Sequence, residues 1–307
     1  MNFQLTKEQE FVQKMVREFA KTEVEPLAAE IDQEHRFPVE TVEKMAKYGL
    51  LGIPFPTKYG GMGGDEVSYS ITVSELAKVC ASTSVIVSAH TSLCCWPIYK
   101  YGTEDQKMKY LPELLSGKKL GAFGLTEPNA GTDASGQQTR AELDGDEWVL
   151  NGAKCFITNG GYAEVFVVMA MTDKSKGNHG ISAFIVEKND PGFSIGKTED
   201  KMGICASSTT ELIFQNCRIP KDRLLGGLGK GFKVAMQTLD GGRIGIASQA
   251  LGIAEGALEV TIEYMKQRKQ FGKKLAQMQA LQFVVADLAT KVEAAKLLVL
   301  KSALFLK

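Results

Sequence analysis

Apolar positions in the first third of the chain recur with a helical period. Thr6 and Gln9 form a capping box at the start of a helix, and Phe11, Val12, Met15, Val16 and Phe19 follow on one face. Pro38 suits a first helical turn, Val39, Val42, Met45 and Ala46 continue it, and Gly49 suits its end. Asp65 caps a third helix predicted to run through Cys80, and a fourth is predicted over 104–115. The stretch 53–64, with Pro54, Pro56, Gly60, Gly61, Gly63 and Gly64, reads as a linker. Its Tyr59-to-Gly64 run is expected to be a mobile turn. No strand leads into it, so it is not a dinucleotide loop.

From Leu120 to about Arg218 the pattern changes to short β-rich runs. Strands are predicted over 121–125, 138–143, 148–150, 165–171, 181–187 and 209–214, with turn signals at 144–146 and 189–192. Strands spaced this regularly without helices predict an antiparallel barrel or sandwich. After Gly226 and Gly227 the helical period returns through Phe232, Ala235, Met236 and Leu239, then Ile246, Ala250, Ile253, Ala254, Ala257 and Leu258. A last helical segment begins near Met278 and is still apolar at Leu304-Phe305-Leu306, with no closing cap. It is expected to be the unfinished part of a helical bundle. The fold class is therefore α+β multidomain: an N-terminal helical domain (1–118), a middle antiparallel β-barrel or sandwich domain (119–227), and a C-terminal helical bundle (228–307), expected to be truncated.

Composition narrows the function classes. The 307 residues hold 36 Lys plus Arg and 36 Asp plus Glu, a net charge of zero, and no nucleic-acid motif occurs. Cysteines 80, 94, 95, 155, 205 and 217 form no C-x-x-C pair, and the three histidines are far apart, so no metal site is expected. Reduced thiols, no membrane-length apolar run and no signal-like start make the cytoplasm the expected location.

Two stretches carry the chemistry. Phe123-Gly-Leu-Thr-Glu-Pro-Asn-Ala-Gly-Thr-Asp133 leads from a strand into a loop bearing hydroxyls, amides and Gly131. Such a loop brings backbone N–H groups close to a flat polar ligand. Phe156-Ile-Thr-Asn-Gly160 returns hydroxyl and amide groups from another strand. Each alone reads more readily as a turn or strand packing locally. Together, in this order and spacing, they resemble the acyl-CoA dehydrogenase family of flavoproteins.

The resemblance spans the whole chain and implies FAD. It implies that Phe123, Leu125, Thr126 and Gly131 lie in a segment lining the pyrimidine side of the flavin, where donors stabilise the reduced ring. Phe156, Ile157 and Thr158 would lie along the flavin face near N5, and Thr132 would hold the CoA portion as well as adjoin the cofactor. Phe156 stands where many relatives carry Trp, and Thr132 where many carry Ser. In Leu239-Asp-Gly-Gly-Arg243, Asp240 and Arg243 would contact the substrate's CoA part; the alternative is a helix-start Asp paired with the Arg. Gly242 occupies the position where some relatives place their catalytic Glu. Arg268, Phe271 and Gln279 would reach the FAD of a neighbouring subunit, implying a homo-oligomer, a tetramer in the family; the alternative is a basic helix end capped by Gly272.

The function implied is FAD-dependent dehydrogenation of an acyl-CoA to trans-2-enoyl-CoA, most like the short-chain, butyryl-type members, with electrons passed to an electron-transfer flavoprotein. No catalytic residue is assigned: the base is expected beyond Lys307, since neither Glu127 nor Glu255 occupies a position the family uses. The 307 residues alone are expected to be inactive. Rival readings are an acyl-CoA oxidase or flavin monooxygenase on the same fold, or a non-catalytic CoA- or FAD-binding protein if Lys307 is the true terminus.

Overall fold

The computed structural model describes residues 4–305. Leu306 and Lys307, part of the expected unfinished helix, and Met1 to Phe3, part of the start read for a signal, lie outside the described residues. The first helix, α1 (Lys7–Phe19), starts on the expected capping box: Gln9 N donates to Thr6 Oγ1 at 3.3 Å and Thr6 N to Gln9 Oε1 at 3.0 Å. It buries Val16 and Phe19, but Phe11 is 68% exposed and sits off that face. A π-helical turn leads into α2 (Glu25–Gln33), and α3 (Val39–Lys47) follows. The Tyr59-to-Gly64 turn is pinned rather than mobile. Its backbone N–H groups bond back, Met62 to Gly52 O at 3.0 Å and Gly63 to Phe55 O at 2.8 Å. A Cβ on Gly61 would lie 2.2 Å from Phe55 O, so only glycine permits that approach.

Helix α4 (Glu66–Ala77) is capped by Asp65, whose side chain accepts from Ser68 N at 2.8 Å. It stops short of the expected Cys80, which instead precedes α5 (Ala81–Ser88). The chain continues through a π-helical segment, Ala89–Cys95, into α6 (Trp96–Tyr101), and α7 (Glu104–Leu115) follows. The 81–101 helical run escaped the sequence reading because its residues are buried nearly all round, which erases the amphipathic stripe.

The middle strands are β1 (Gly121–Gly124), β2 (Arg140–Asp144), β3 (Glu147–Thr158), β4 (Val165–Met171), β5 (Ile181–Glu187), β6 (Phe193–Thr198), β7 (Thr209–Pro220) and β8 (Leu224–Leu225). They form one sheet ordered β6-β7-β3-β2-β4-β5-β8, with β1 added beside β4. Two points correct the expected antiparallel barrel. The ends β6 and β8 do not pair, so the sheet is not a closed barrel, and β1 and β2 both meet β4 in parallel. The parallel joins arise because β1 enters from the helical domain and the chain must cross over before reaching β4. Strand β4 is buried on both faces. Phe166, Val168 and Ala170 join the core inside the sheet, while Val165, Val167, Met169 and Met171 pack with the helices.

Helix α8 (Gly231–Gln267) packs along α4, and a short hairpin, β9 (Lys269–Gln270) and β10 (Lys273–Lys274), leads to α9 (Gln279–Phe305). Contact with α4 depends on glycine: a Cβ on Gly252 would lie 2.2 Å from Ser74 O, and one on Gly256 2.2 Å from Lys78 O. Among the described residues, no helix is long and apolar enough to cross a membrane.

Candidate active site

The loop after β1 is held from behind by a buried charge. Lys154, on β3, is 0% exposed, and its Nζ donates to Glu127 Oε1 at 2.7 Å, Gln137 Oε1 at 3.1 Å and the Leu125 carbonyl at 3.1 Å. Glu127 also accepts from Gln138 N at 2.6 Å and Thr139 N at 3.1 Å. Burial pushes the Lys154 amine down while Glu127 beside it favours its charge. Lys154 and these amides hold the Glu127 carboxyl below its usual range against burial. Every oxygen of Glu127 is engaged, so it holds the loop and is not free to take a substrate proton. Lys154 and Gln137 were missed in the sequence; the only signal was a lysine inside an apolar strand.

On the open side of this loop lie unused donors. Leu125 is buried, Thr126 half-buried, and Gly131 and Thr132 exposed. The Thr126 carbonyl is tied to Cys155 N at 2.9 Å. Among the described residues, the N–H groups of Thr126, Gly131 and Thr132 have no hydrogen-bond partner. Phe123 sits deeper, in the core shared with the helices. Asp133 fixes the loop, accepting from Ser135 Oγ at 2.6 Å.

Residues 156–159 adjoin the loop through a distortion of β3. The β3–β7 register shifts between Lys154 and Ile157, and Phe156 takes a left-handed backbone with φ 60°. An aromatic residue seldom adopts that conformation, and the bulge turns its ring outward, 63% exposed. Ile157 is buried and Thr158 half-buried. Asn159, also left-handed at φ 67°, ties the strand end to the helices: its Nδ2 donates to Ile86 O at 3.0 Å. His90, buried in the π-helical segment, accepts from Gly121 N at Nδ1, 2.9 Å away, which leaves the ring proton on Nε2. Burial lowers its pKa to about 4, so it is a neutral link between helix and sheet.

A cavity of about 300 Å³ opens between these elements. Thr158 enters from the sheet, Val85, Ala89 and Leu93 from α5 and the π-helical segment, and Leu239, Gly242 and Arg243 from α8. Arg243 and Asp240 form an exposed ion pair of 2.9 Å, the pairing of the alternative reading, but inside α8 rather than at its start. Gly242 lines the cavity, and a Cβ there would lie 2.9 Å from Leu93 Cδ2, so a larger side chain would have to shift the end of Leu93. Glu255 is engaged elsewhere, 2.8 Å from Lys78 Nζ and 3.3 Å from Lys296 Nζ.

The structure thus gathers the 125–132 and 156–158 segments, with Arg243 at the cavity, but sets the third group apart. Phe271 and Gly272 form the tip of the β9–β10 hairpin, with φ 52° and 70°. Phe271 is 94% exposed, and Arg268 and Gln279 are exposed beside it. Among the described residues, the side chains of Arg268 and Phe271 make no hydrogen bond, ion pair or ring contact. Both side chains are open to solvent.

Known proteins match this architecture along its length. Residues 6–118, 122–217 and 229–307 match the N-terminal, middle and C-terminal domain models of acyl-CoA dehydrogenase. The chain is 60% identical over 303 residues to the short-chain specific acyl-CoA dehydrogenase of Clostridium acetobutylicum, covering 99% of this chain and 80% of that protein. It is similar to the butyryl-CoA dehydrogenase structure from Megasphaera elsdenii, with TM-score 0.97, 53% identity, and 99% and 80% of the two chains covered. It is similar also to a chain in a structure described as the electron transferring flavoprotein of Acidaminococcus fermentans, with TM-score 0.98, 56% identity and the same coverage. The chain belongs to the acyl-CoA dehydrogenase family.

Proposed function

We propose that this protein dehydrogenates a short-chain acyl-CoA to a trans-2-enoyl-CoA with FAD, passing electrons to an electron-transfer flavoprotein. The observation that carries the reading is the junction of two features: a loop with unpartnered N–H donors, and an apolar cavity reached by Thr158 and Arg243. FAD fits this junction. Gly131 leaves open space, with nothing within 4 Å of a Cβ placed there, and the Phe156 ring is turned out to pack against a flat partner. When bound, FAD supplies the acceptor for the substrate's β-hydrogen, which leaves as hydride.

The chain's own residues bind and orient. Phe123, Leu125, Thr126 and Gly131 form the bed for the cofactor's polar edge, and Phe156, Ile157 and Thr158 its face. Thr132, Asp240 and Arg243 hold the CoA part; the guanidinium suits phosphate or amide carbonyl groups. Leu93, Leu239 and Ile246 exclude water from the acyl chain. Glu127 and Glu255 are both engaged by other partners, so we assign α-proton removal to a carboxylate outside the 307 residues. Arg268, Phe271 and Gln279 complete the cofactor site of a neighbouring subunit in a tetramer, supported by their exposure at the hairpin and the start of α9. Six unbridged thiols support a cytoplasmic location.

Anaerobic addition of butyryl-CoA to the full-length, FAD-loaded protein tests this. Bleaching of the visible flavin absorbance, restored by an electron-transfer flavoprotein, is the expected result. Lack of bleaching with any straight or branched acyl-CoA contradicts it. Hydrogen peroxide formed at the turnover rate would make the protein an oxidase instead.

A further inference from the structure

The cavity at Thr158 is walled on its helical side by serines, and one buried side chain stands directly behind them. Ser88 and Ser92 line it from one side, and Gly242 and Ile246 from α8. Gly245 lies one turn beyond Gly242 on the same face of α8. Tyr69, reaching in from α4, is 2% exposed, and its Oη lies 3.1 Å from Ser88 Oγ and 3.4 Å from the Ser88 carbonyl. A Cβ on Gly245 would stand 2.3 Å from Tyr69 Oη and 2.6 Å from Ser88 Oγ. The phenol therefore occupies the gap that the bare Gly245 leaves between α5 and α8. Behind it, Ser70 Oγ and Ser248 Oγ meet at 2.7 Å and close the next turn of the α4–α8 contact.

We propose that Tyr69, clamped by Ser88 and seated against Gly245, is the stop that limits acyl chain length. The inference rests on the acyl-CoA reading of this cavity. Apart from Thr158 the lining is helical, so chain carbons beyond the reacting pair extend among the helices toward the wall that Ser88 forms in front of Tyr69. The ring is packed on all sides and hydrogen-bonded, so it does not swing aside at little cost. A longer chain meets the Ser88 wall with the phenol filling the space behind it.

The test uses full-length, FAD-loaded protein and unreactive S-alkyl-CoA thioethers from propyl to octyl, with dissociation constants read by calorimetry. Wild type should bind butyl best and lose about tenfold or more by hexyl, the scale of a small misfit in an apolar pocket. Tyr69→Ala should gain about tenfold for hexyl relative to butyl. Tyr69→Phe keeps the ring and should keep the wild-type order. If Tyr69→Ala fails to retain FAD, Tyr69→Leu carries the same expectation. A folded, FAD-loaded Tyr69→Ala or Tyr69→Leu with the wild-type order overturns the stop and leaves the acyl-CoA reading intact. Wild type that binds no alkyl-CoA overturns both.

Discussion

Lys154 and Glu127 show how much the loop after β1 depends on a buried pair behind it. Removing one partner strands the other charge in the core. Lys154→Met should cost about 3–5 kcal/mol in urea unfolding. The double variant Lys154→Met with Glu127→Gln should recover much of that loss. A single-variant loss below about 1 kcal/mol would mean that water reaches the site. The pair also predicts a pH response. The folded-state pKa of Glu127 lies below its ordinary 4.5, so its contribution is fully present above that value. It is lost as the pH falls through the lower folded value. Glu127→Gln should therefore flatten the acid limb of a stability–pH curve; an unchanged limb would assign that slope to other carboxylates. The loop after β1 and the end of β3 were legible in the sequence because their motifs are local. Lys154 was not, because its meaning lies in a partner reached only when β3 folds against the loop.

Secondary elements divide along the same physical line. Strand β4 was read over its observed range, because a short, wholly apolar run between turn signals has few other solutions. Helix α7 was likewise read over its observed range, 104–115. The 81–101 helical run was not read, although it forms one wall of the cavity. Serines and threonines scattered among its apolar residues hide the helical period. The α4–α8 contact was also invisible, since glycine inside a helix normally argues against the helix. Here close approach decides: Gly252→Ala would press a methyl against Ser74 O and Ala77 Cβ. It should cost about 1–3 kcal/mol, measured by thermal unfolding. A neutral or stabilising Gly252→Ala would show that the helices separate freely.

The described residues leave apolar surface that the rest of the helical bundle or a partner subunit would cover. Val260 and Tyr264 on α8, Phe271 on the hairpin, and Phe283, Val284 and Leu288 on α9 all face out. On the shared-site reading, sedimentation of the full-length protein should find an assembly rather than a monomer. Within it, Arg268→Ala should weaken FAD retention by about 1.5–3 kcal/mol, the scale of a hydrogen bond to a charged group. Subunit unfolding should barely change, because the Arg268 side chain has no intrasubunit partner among the described residues. Equal FAD retention in Arg268→Ala would remove the shared-site reading. The central claim, oxidation of a CH–CH bond in an acyl thioester, is tested most directly by the thioester recovered after one anaerobic turnover with butyryl-CoA. The expected result is trans-2-butenoyl-CoA in an amount equal to the flavin reduced. Unchanged butyryl-CoA, recovered in full, would contradict it.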